Sequence, residues 1–133
     1  MADAIHQMVV RGAPAIGITA AFGVVLSAAE NYSAAGDDWK SQMAGDMQAL
    51  RDSRPTAVNL FWALERMSGL IEQLTDNEDP TPALLIEAQA IHQEDVAANR
   101  RMGQLGAALI ESPTSVITHC NCLLYTSPSP RDG

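Results

Sequence analysis

Apolar positions along the chain fall in long blocks with helical spacing and little strict alternation. Ile5 to Val10 ends in a short apolar stretch that reads as extended. Pro14 to Glu30 reads as a helix, with proline near its first turn and a glycine just before to free the entry. Asn31 to Asp38 is polar and reads as a loop. Trp39, Met43, Met47 and Leu50 then recur at helical intervals, so Asp38 to Arg51 predicts an amphipathic helix capped by Asp37 or Asp38. Ser53-Arg54-Pro55-Thr56 interrupts it, because proline disfavours helix at Arg54 and can itself open a new one. The next helix runs to about Leu74, with Val58, Phe61, Trp62, Leu70 and Ile71 as its core positions. After a loop from Asp76 to Pro82, a long helix spans about Ala83 to Ile110, using Leu84, Ile91, Val96, Met102 and Leu109. Gly103 and Gly106 would let another helix approach, and Pro113 stops the run.

Ser115-Val116-Ile117-Thr118 breaks the pattern. It is short, β-branched and preceded by proline, and it reads as a strand. The expected fold is therefore mainly α: a helical N-terminal domain over 1–112, then the first strand of a truncated Rossmann-like α/β domain over 113–121. From Cys122 to Asp132 no helical or strand period continues past the leucines. That string resembles the translated end of a sequencing-library adapter, so 122–133 is expected to be a non-native tail without chemistry.

Composition narrows the classes. A chain of 133 residues with 47% hydrophobic and 18% charged residues has enough apolar material for one core and reads as globular. Its formal net charge of −8 argues against a broad basic nucleic-acid surface, yet leaves room for a small anion held by one or two placed arginines. The run Ala13–Ala29 is apolar but rich in alanine and glycine, slightly short, and flanked by Arg11 and Glu30. A buried core helix is the better reading than a membrane span. The N-terminus lacks the basic start of a signal peptide, and two cysteines, Cys120 and Cys122, suit a reducing cytoplasm better than a disulfide framework.

Four motifs have chemistry to offer. Val10-Arg11-Gly12-Ala13-Pro14-Ala15-Ile16-Gly17 places glycine and arginine at a helix start, where free N–H groups and the helix dipole favour an anion. Ser53-Arg54-Pro55-Thr56-Ala57-Val58-Asn59-Leu60 repeats the design, with an arginine held just before a helix. Thr118-His119-Cys120-Asn121 puts a thiol at the carboxyl end of a strand, where ligands gather in open α/β sheets. Glu94-Asp95 with Asn99-Arg100-Arg101 offers paired carboxylates on the long helix. Taken singly, each also has a plainer reading, and spacing alone favours it. These are a tight turn into a core helix, an exposed turn, a lone buried cysteine, and a solvated or inter-helix polar face. His119 and Cys120 lack the further ligands of a metal site.

The combination is more specific. Met8 to Gly17, Ser53 to Leu60 and Ile117 to Asn121 occur in this order in the methylthioribose-1-phosphate isomerase family, part of the superfamily of translation initiation factor 2B alpha, beta and delta subunits. The chain resembles that family from Ile5 to Asn121. Asn99-Arg100 and Gly103-Gln104-Leu105-Gly106-Ala107 look like its long helix. The resemblance implies a helical N-terminal domain, a Rossmann-like C-terminal domain, a cytoplasmic homodimer, and no metal or organic cofactor. It implies a sugar-phosphate substrate and conversion of the aldose 5-methylthioribose 1-phosphate to the ketose 5-methylthioribulose 1-phosphate, in methionine salvage. By position, Arg11, Gly12 and Ala13 resemble the substrate-phosphate loop, Arg54 the second substrate-binding arginine, and Cys120 the catalytic cysteine, which the family pairs with a later aspartate. The phosphate on C1 locks the sugar ring, so opening needs a proton at the ring oxygen, and hydrogen must move from C2 to C1. The family continues after Asn121 with Ala-Gly and most of a Rossmann-like domain. Here Cys122 follows, and the strands that usually precede Met1 are absent, so this chain alone is expected to be inactive. Two other identities share the resemblance: an isomerase of a related sugar 1-phosphate, such as 5-deoxyribose 1-phosphate or ribose 1,5-bisphosphate, and a non-catalytic regulatory subunit of the same superfamily.

Overall fold

Small side chains decide where the longest apolar helix sits. The computed structural model describes residues 1–110 together with Ser115 and Ile117. Its elements are α1 (Ala2–His6), α2 (Ala13–Ala35), a 3₁₀ turn at Gly36–Asp38, α3 (Trp39–Ser53), α4 (Val58–Gln73) and α5 (Thr81–Ala107). The chain divides into two units, Met1–Ala98 and Asn99–Gly133, and the packing below is that of the first. Helix α2 buries Ile16, Gly17, Ala20, Ala21, Val24, Val25 and Ala28, and packs against both α3 and α4. By composition this stretch is long and apolar enough to cross a membrane, but its alanines and glycines form the floor of the core. A β-carbon on Gly17 would lie 2.6 Å from the backbone oxygen of Asn59 on α4, and one on Gly23 would lie 3.3 Å from Leu50 Cδ2 on α3. Neighbouring helices come this close only where a side chain is missing.

The other helices close over that floor. Trp39, Met43 and Leu50 of α3 and Leu60, Leu64 and Met67 of α4 are buried, with Ile5 of α1 beneath them. Leu84, Ala88 and Ile91 bring α5 into the same cluster. Each fully buried large aliphatic side chain contributes roughly 1.5–3 kcal/mol relative to exposure. The Trp39 indole N–H is buried with no hydrogen-bond partner among the described residues, which costs on the order of 1–3 kcal/mol. Above it Lys40 lies 5.7 Å from the ring centroid, donates to the Leu74 carbonyl and pairs with Asp76 at 2.8 Å.

Polar contacts fix α4 against α5. Arg66 donates to both carboxylate oxygens of Glu94, at 2.5 and 2.8 Å, and through Nε to Glu87. Its guanidinium also lies 5.5 Å from the Trp62 ring centroid. The hydrogen bond to Glu94 raises the Arg66 pKa, and the same bond holds the Glu94 carboxyl below the usual carboxylate range. At the start of α5, Asp79 accepts the Thr81 backbone N–H at 2.9 Å. Hydrogen bonding from the Thr81 side chain, then from its backbone, lowers the Asp79 pKa.

The mainly helical expectation holds, with local corrections. Ile5 to Val10 is not extended: Ile5 and His6 end α1, and the chain then turns. The expected loop from Asn31 is helical through Ala35, because Asn31 bonds back to the Ser27 carbonyl at 2.9 Å and to Asp46 at 3.0 Å, so its polarity is used within the helix. Asp38 does precede α3, but no side chain caps that end. On α4 the core face lies elsewhere than expected: Leu60, Ala63, Leu64 and Met67 are buried while Val58 is 78% exposed and Trp62 47% exposed. Leu60, Leu64 and Met67 share one face at intervals of four and three, and Val58 and Trp62 fall two positions off it. On α5, Leu84 and Ile91 are buried as expected, whereas Met102 and Leu109 are exposed. The expected strand at 115–118 lies outside the described residues apart from Ser115 and Ile117, which are exposed and in no regular element.

Gly17→Ala is expected to lower stability by about 1–3 kcal/mol, since the clash is with backbone. Gly45→Ala on α3, where nothing lies within 4 Å, is expected to add roughly 0.5–1 kcal/mol. Urea unfolding of the two variants measures both. The lowered Glu94 pKa gives a second expectation, whose sign follows from linkage. The contribution is present above the ordinary carboxylate range and is lost as pH falls through the folded value. Urea midpoints taken between about pH 6 and about pH 3 should therefore fall, and fall less steeply in Glu94→Gln.

Candidate functional site

The connection from α1 to α2 is built to present a helix end. Gln7 and Met8 donate backbone N–H groups to Asp3 (2.8 Å) and Ile5 (3.2 Å), and Val10 donates back to Ala4 at 3.2 Å, so the segment folds over α1. Met8 takes a left-handed φ of 60°, and Gly12 a φ of 91° that side chains resist. Gly12 is the N-cap of α2, Ala13 its first residue, and Pro14 stands in its first turn. The first bond of the helix runs from the Ile16 N–H to the Gly12 carbonyl at 3.0 Å. That leaves the N–H groups of Ala13 and Ala15 without an intrahelical acceptor. No side chain caps this end. An exposed Arg11 immediately before it adds positive charge to the positive pole of the helix.

The second motif forms differently from its expectation. Arg54 is the half-buried residue that ends α3, with φ −150° and ψ 82°. Its carbonyl accepts the Ala57 N–H at 3.0 Å, which makes Pro55 and Thr56 a turn. The proline therefore does not open the helix, and α4 begins at Val58. The Ser53 hydroxyl, donating to the Leu50 carbonyl at 2.6 Å, closes the buried end of α3.

These two motifs meet. Gly17 of the first lies against the Asn59 backbone of the second. Beside that contact opens a cavity of about 430 Å³, walled by Pro14 and Gly17 from α2 and by Val58 and Asn59 from α4. Ile18, Trp62 and Ile91 make it largely apolar, and Glu94 and Asp95 of α5 line one side. Arg11 and Arg54 are not among the walls; each precedes a helix whose first turn is. Of the paired carboxylates on α5, Glu94 is engaged with Arg66 in an inter-helix ion pair, the plainer of its two readings. Cys120 and His119 lie outside the described residues. Among the described residues no three His, Cys, Asp or Glu side chains gather as a metal site. Val58 and Trp62, both expected in the core, instead stand at the cavity, Trp62 with Arg66 against its ring. The available signal was Glu87 and Glu94, two turns apart on one face of α5, which together demand a cation from the facing helix.

Comparison with known proteins places the sequence. The chain is 58% identical over 121 residues to a methylthioribose-1-phosphate isomerase of Nitrosococcus oceani, covering 91% of this chain and 35% of that protein. It is 57% identical over 120 residues to the protein of the same name from Alkalilimnicola ehrlichii, covering 90% of this chain and 34% of that protein. The corresponding protein of Azotobacter vinelandii is 53% identical over 125 residues, 91% of this chain and 35% of its own length. The chain thus spans about a third of the length of the curated relatives it matches. No solved structure matches it. The sequence model of the Initiation factor 2 subunit family matches residues 9–126, from the loop before α2 to beyond Cys120, and the chain belongs to that family.

Proposed function

We propose that this chain is the front part of an aldose–ketose isomerase that converts 5-methylthioribose 1-phosphate to 5-methylthioribulose 1-phosphate, a step of methionine salvage. The observation that carries the reading is the meeting of the two arginine motifs at Gly17 and Asn59, within a sequence 58% identical to a protein of that name. In this reading the backbone N–H groups of Gly12 and Ala13 and the guanidinium groups of Arg11 and Arg54 take the substrate phosphate. A planar guanidinium suits phosphate oxygens two at a time, and its charge persists throughout the physiological range. With the phosphate fixed, the ring oxygen and the C1–C2 bond are held for proton delivery at the one and hydrogen transfer across the other. Cys120 is the proposed catalytic group, at the end of the first strand of a Rossmann-like domain that begins near residue 113. The helical domain over 1–112 supplies the anion site, and the rest of the catalytic domain supplies the proton-donating aspartate. Homodimerisation and a cytoplasmic location belong to the same proposal.

The family name itself favours one second reading, a regulatory subunit without catalysis. Such a module needs neither thiol nor sugar phosphate, so binding and turnover separate the two. The 133-residue chain alone is expected to give no aldose-to-ketose turnover; clear turnover would refute its inactivity. In the protein extended to the length of its relatives, Arg54→Ala should weaken sugar-phosphate binding by roughly tenfold to a hundredfold, the worth of one charge-assisted hydrogen-bonding group. Cys120→Ser there should cut kcat by about 10²–10⁴ while the phosphate still binds. Full activity of that variant removes Cys120 from the chemistry, and unchanged binding in Arg54→Ala supports the regulatory reading.

A further inference from the structure

Arg66 is not one of the cavity's walls, yet it holds two of them. Trp62 is a wall on α4 and Glu94 a wall on α5. The guanidinium lies 5.5 Å from the Trp62 ring centroid, gives Glu94 a two-pronged hydrogen bond at 2.5 and 2.8 Å, and donates through Nε to Glu87. All three of its nitrogens are engaged, and its planar fork cannot turn without releasing a carboxylate. Trp62 is 47% exposed, so packing leaves its ring room to move, and the stacked guanidinium restricts it. Helix α2 needs no such device, because backbone contact at Gly17 sets its distance from α4. The glycines of α5 offer no counterpart: a β-carbon on Gly103 or Gly106 would meet nothing within 4 Å. The spacing of α5 from α4 is therefore left to side chains. Glu87 and Glu94 lie two turns apart on one face of α5 and share this cation. Without it two like charges would face α4 together, which favours displacement of α5 away from it.

We propose that Arg66 is a positioning residue of the isomerase: by bridging Trp62 on α4 to Glu94 on α5 it fixes the distance between these two walls, and it acts on turnover through them. The inference rests on the reading of this chain as part of a sugar-phosphate isomerase with its anion site at the start of α2, and it adds to that reading the element that holds α5 in place. Stability is not the bridge's main product. Exposed ion pairs contribute little to folding because water screens them, and the Glu94 side chain is 56% exposed. Geometry is what the bridge supplies, since one group fixes a ring on one helix and two carboxylates on another. Rate is sensitive to such placement: a shift of about 1 Å can cost roughly a hundredfold.

The test uses the protein extended to the length of its relatives. It measures kcat and KM for 5-methylthioribose 1-phosphate, inhibition by inorganic phosphate, and the urea midpoint. Arg66→Gln should lower kcat by about tenfold to a hundredfold, while the phosphate inhibition constant changes by less than about threefold and the protein stays folded under assay conditions. Arg66→Lys should recover only part of that loss, because an ammonium keeps the charge but cannot hold two carboxylates and a ring in one plane. Glu94→Gln keeps one acceptor oxygen and should lower kcat by roughly threefold to tenfold, and it carries the test if Arg66→Gln does not fold. Combining Arg66→Gln with Glu94→Gln should cost no more than Arg66→Gln alone, the mark of one shared interaction. Unchanged kcat per folded molecule in both single variants overturns the inference and leaves the phosphate reading standing. Equal losses of turnover and of phosphate inhibition also overturn it, since they report a general loosening of the fold. If the unsubstituted protein neither converts the sugar nor is inhibited by inorganic phosphate, the underlying reading falls, and this inference with it.

Discussion

Backbone meets backbone where Gly17 of α2 lies against the carbonyl of Asn59 on α4, and most of what is distinctive here follows from that contact. Helices separated by ordinary side chains hold their axes 8–10 Å apart. Removing the β-carbon at one position lets the start of α4 settle onto the first turns of α2. Two short arginine-bearing segments, far apart in sequence, then flank one small region. On the same helix Leu60, Leu64 and Met67 fill the core, while Val58 and Trp62 wall a cavity beside the contact.

Around that contact the structure divides its work. The interior face of α2 mixes alanines and Gly17 with Ile16, Val24 and Val25, and the larger core side chains of α3, α4 and α5 pack over it. The ends of the helices carry the polar business. Gly12 takes a backbone conformation that favours glycine, the first turn of α2 keeps uncapped N–H groups, and Pro55-Thr56 fixes the direction in which Arg54 leaves α3. The Arg66 bridge to Glu87 and Glu94 holds α5 across the cavity and keeps Trp62 in place by stacking on it.

Much of this is legible in the sequence, and the exceptions have a common cause. Helical spacing located α3, α4 and α5 to within a few residues, and the glycine–proline pair announced the start of α2. The assignment failed at Ile5 to Val10, where a single helical turn and a left-handed Met8 look the same in sequence as an extended apolar run. It failed again at Asn31, whose polarity suggested a loop although its side chain bonds within α2 and to α3. Periodicity counts large side chains as interior, so it placed Val58 and Trp62 in the core and passed over Ala63.

The sequence by itself determined the helical character of the chain and the residue types able to hold an anion. It also supplied the order of motifs that places the chain in its family, because period, punctuation and side-chain chemistry are local properties. Only the tertiary structure decided which face of each helix is inside, that the two arginine-bearing segments share a neighbourhood, and that a cavity opens between them. Those outcomes depend on how near two helices can come, and that distance is set by the absence of one β-carbon facing a carbonyl forty-two positions away.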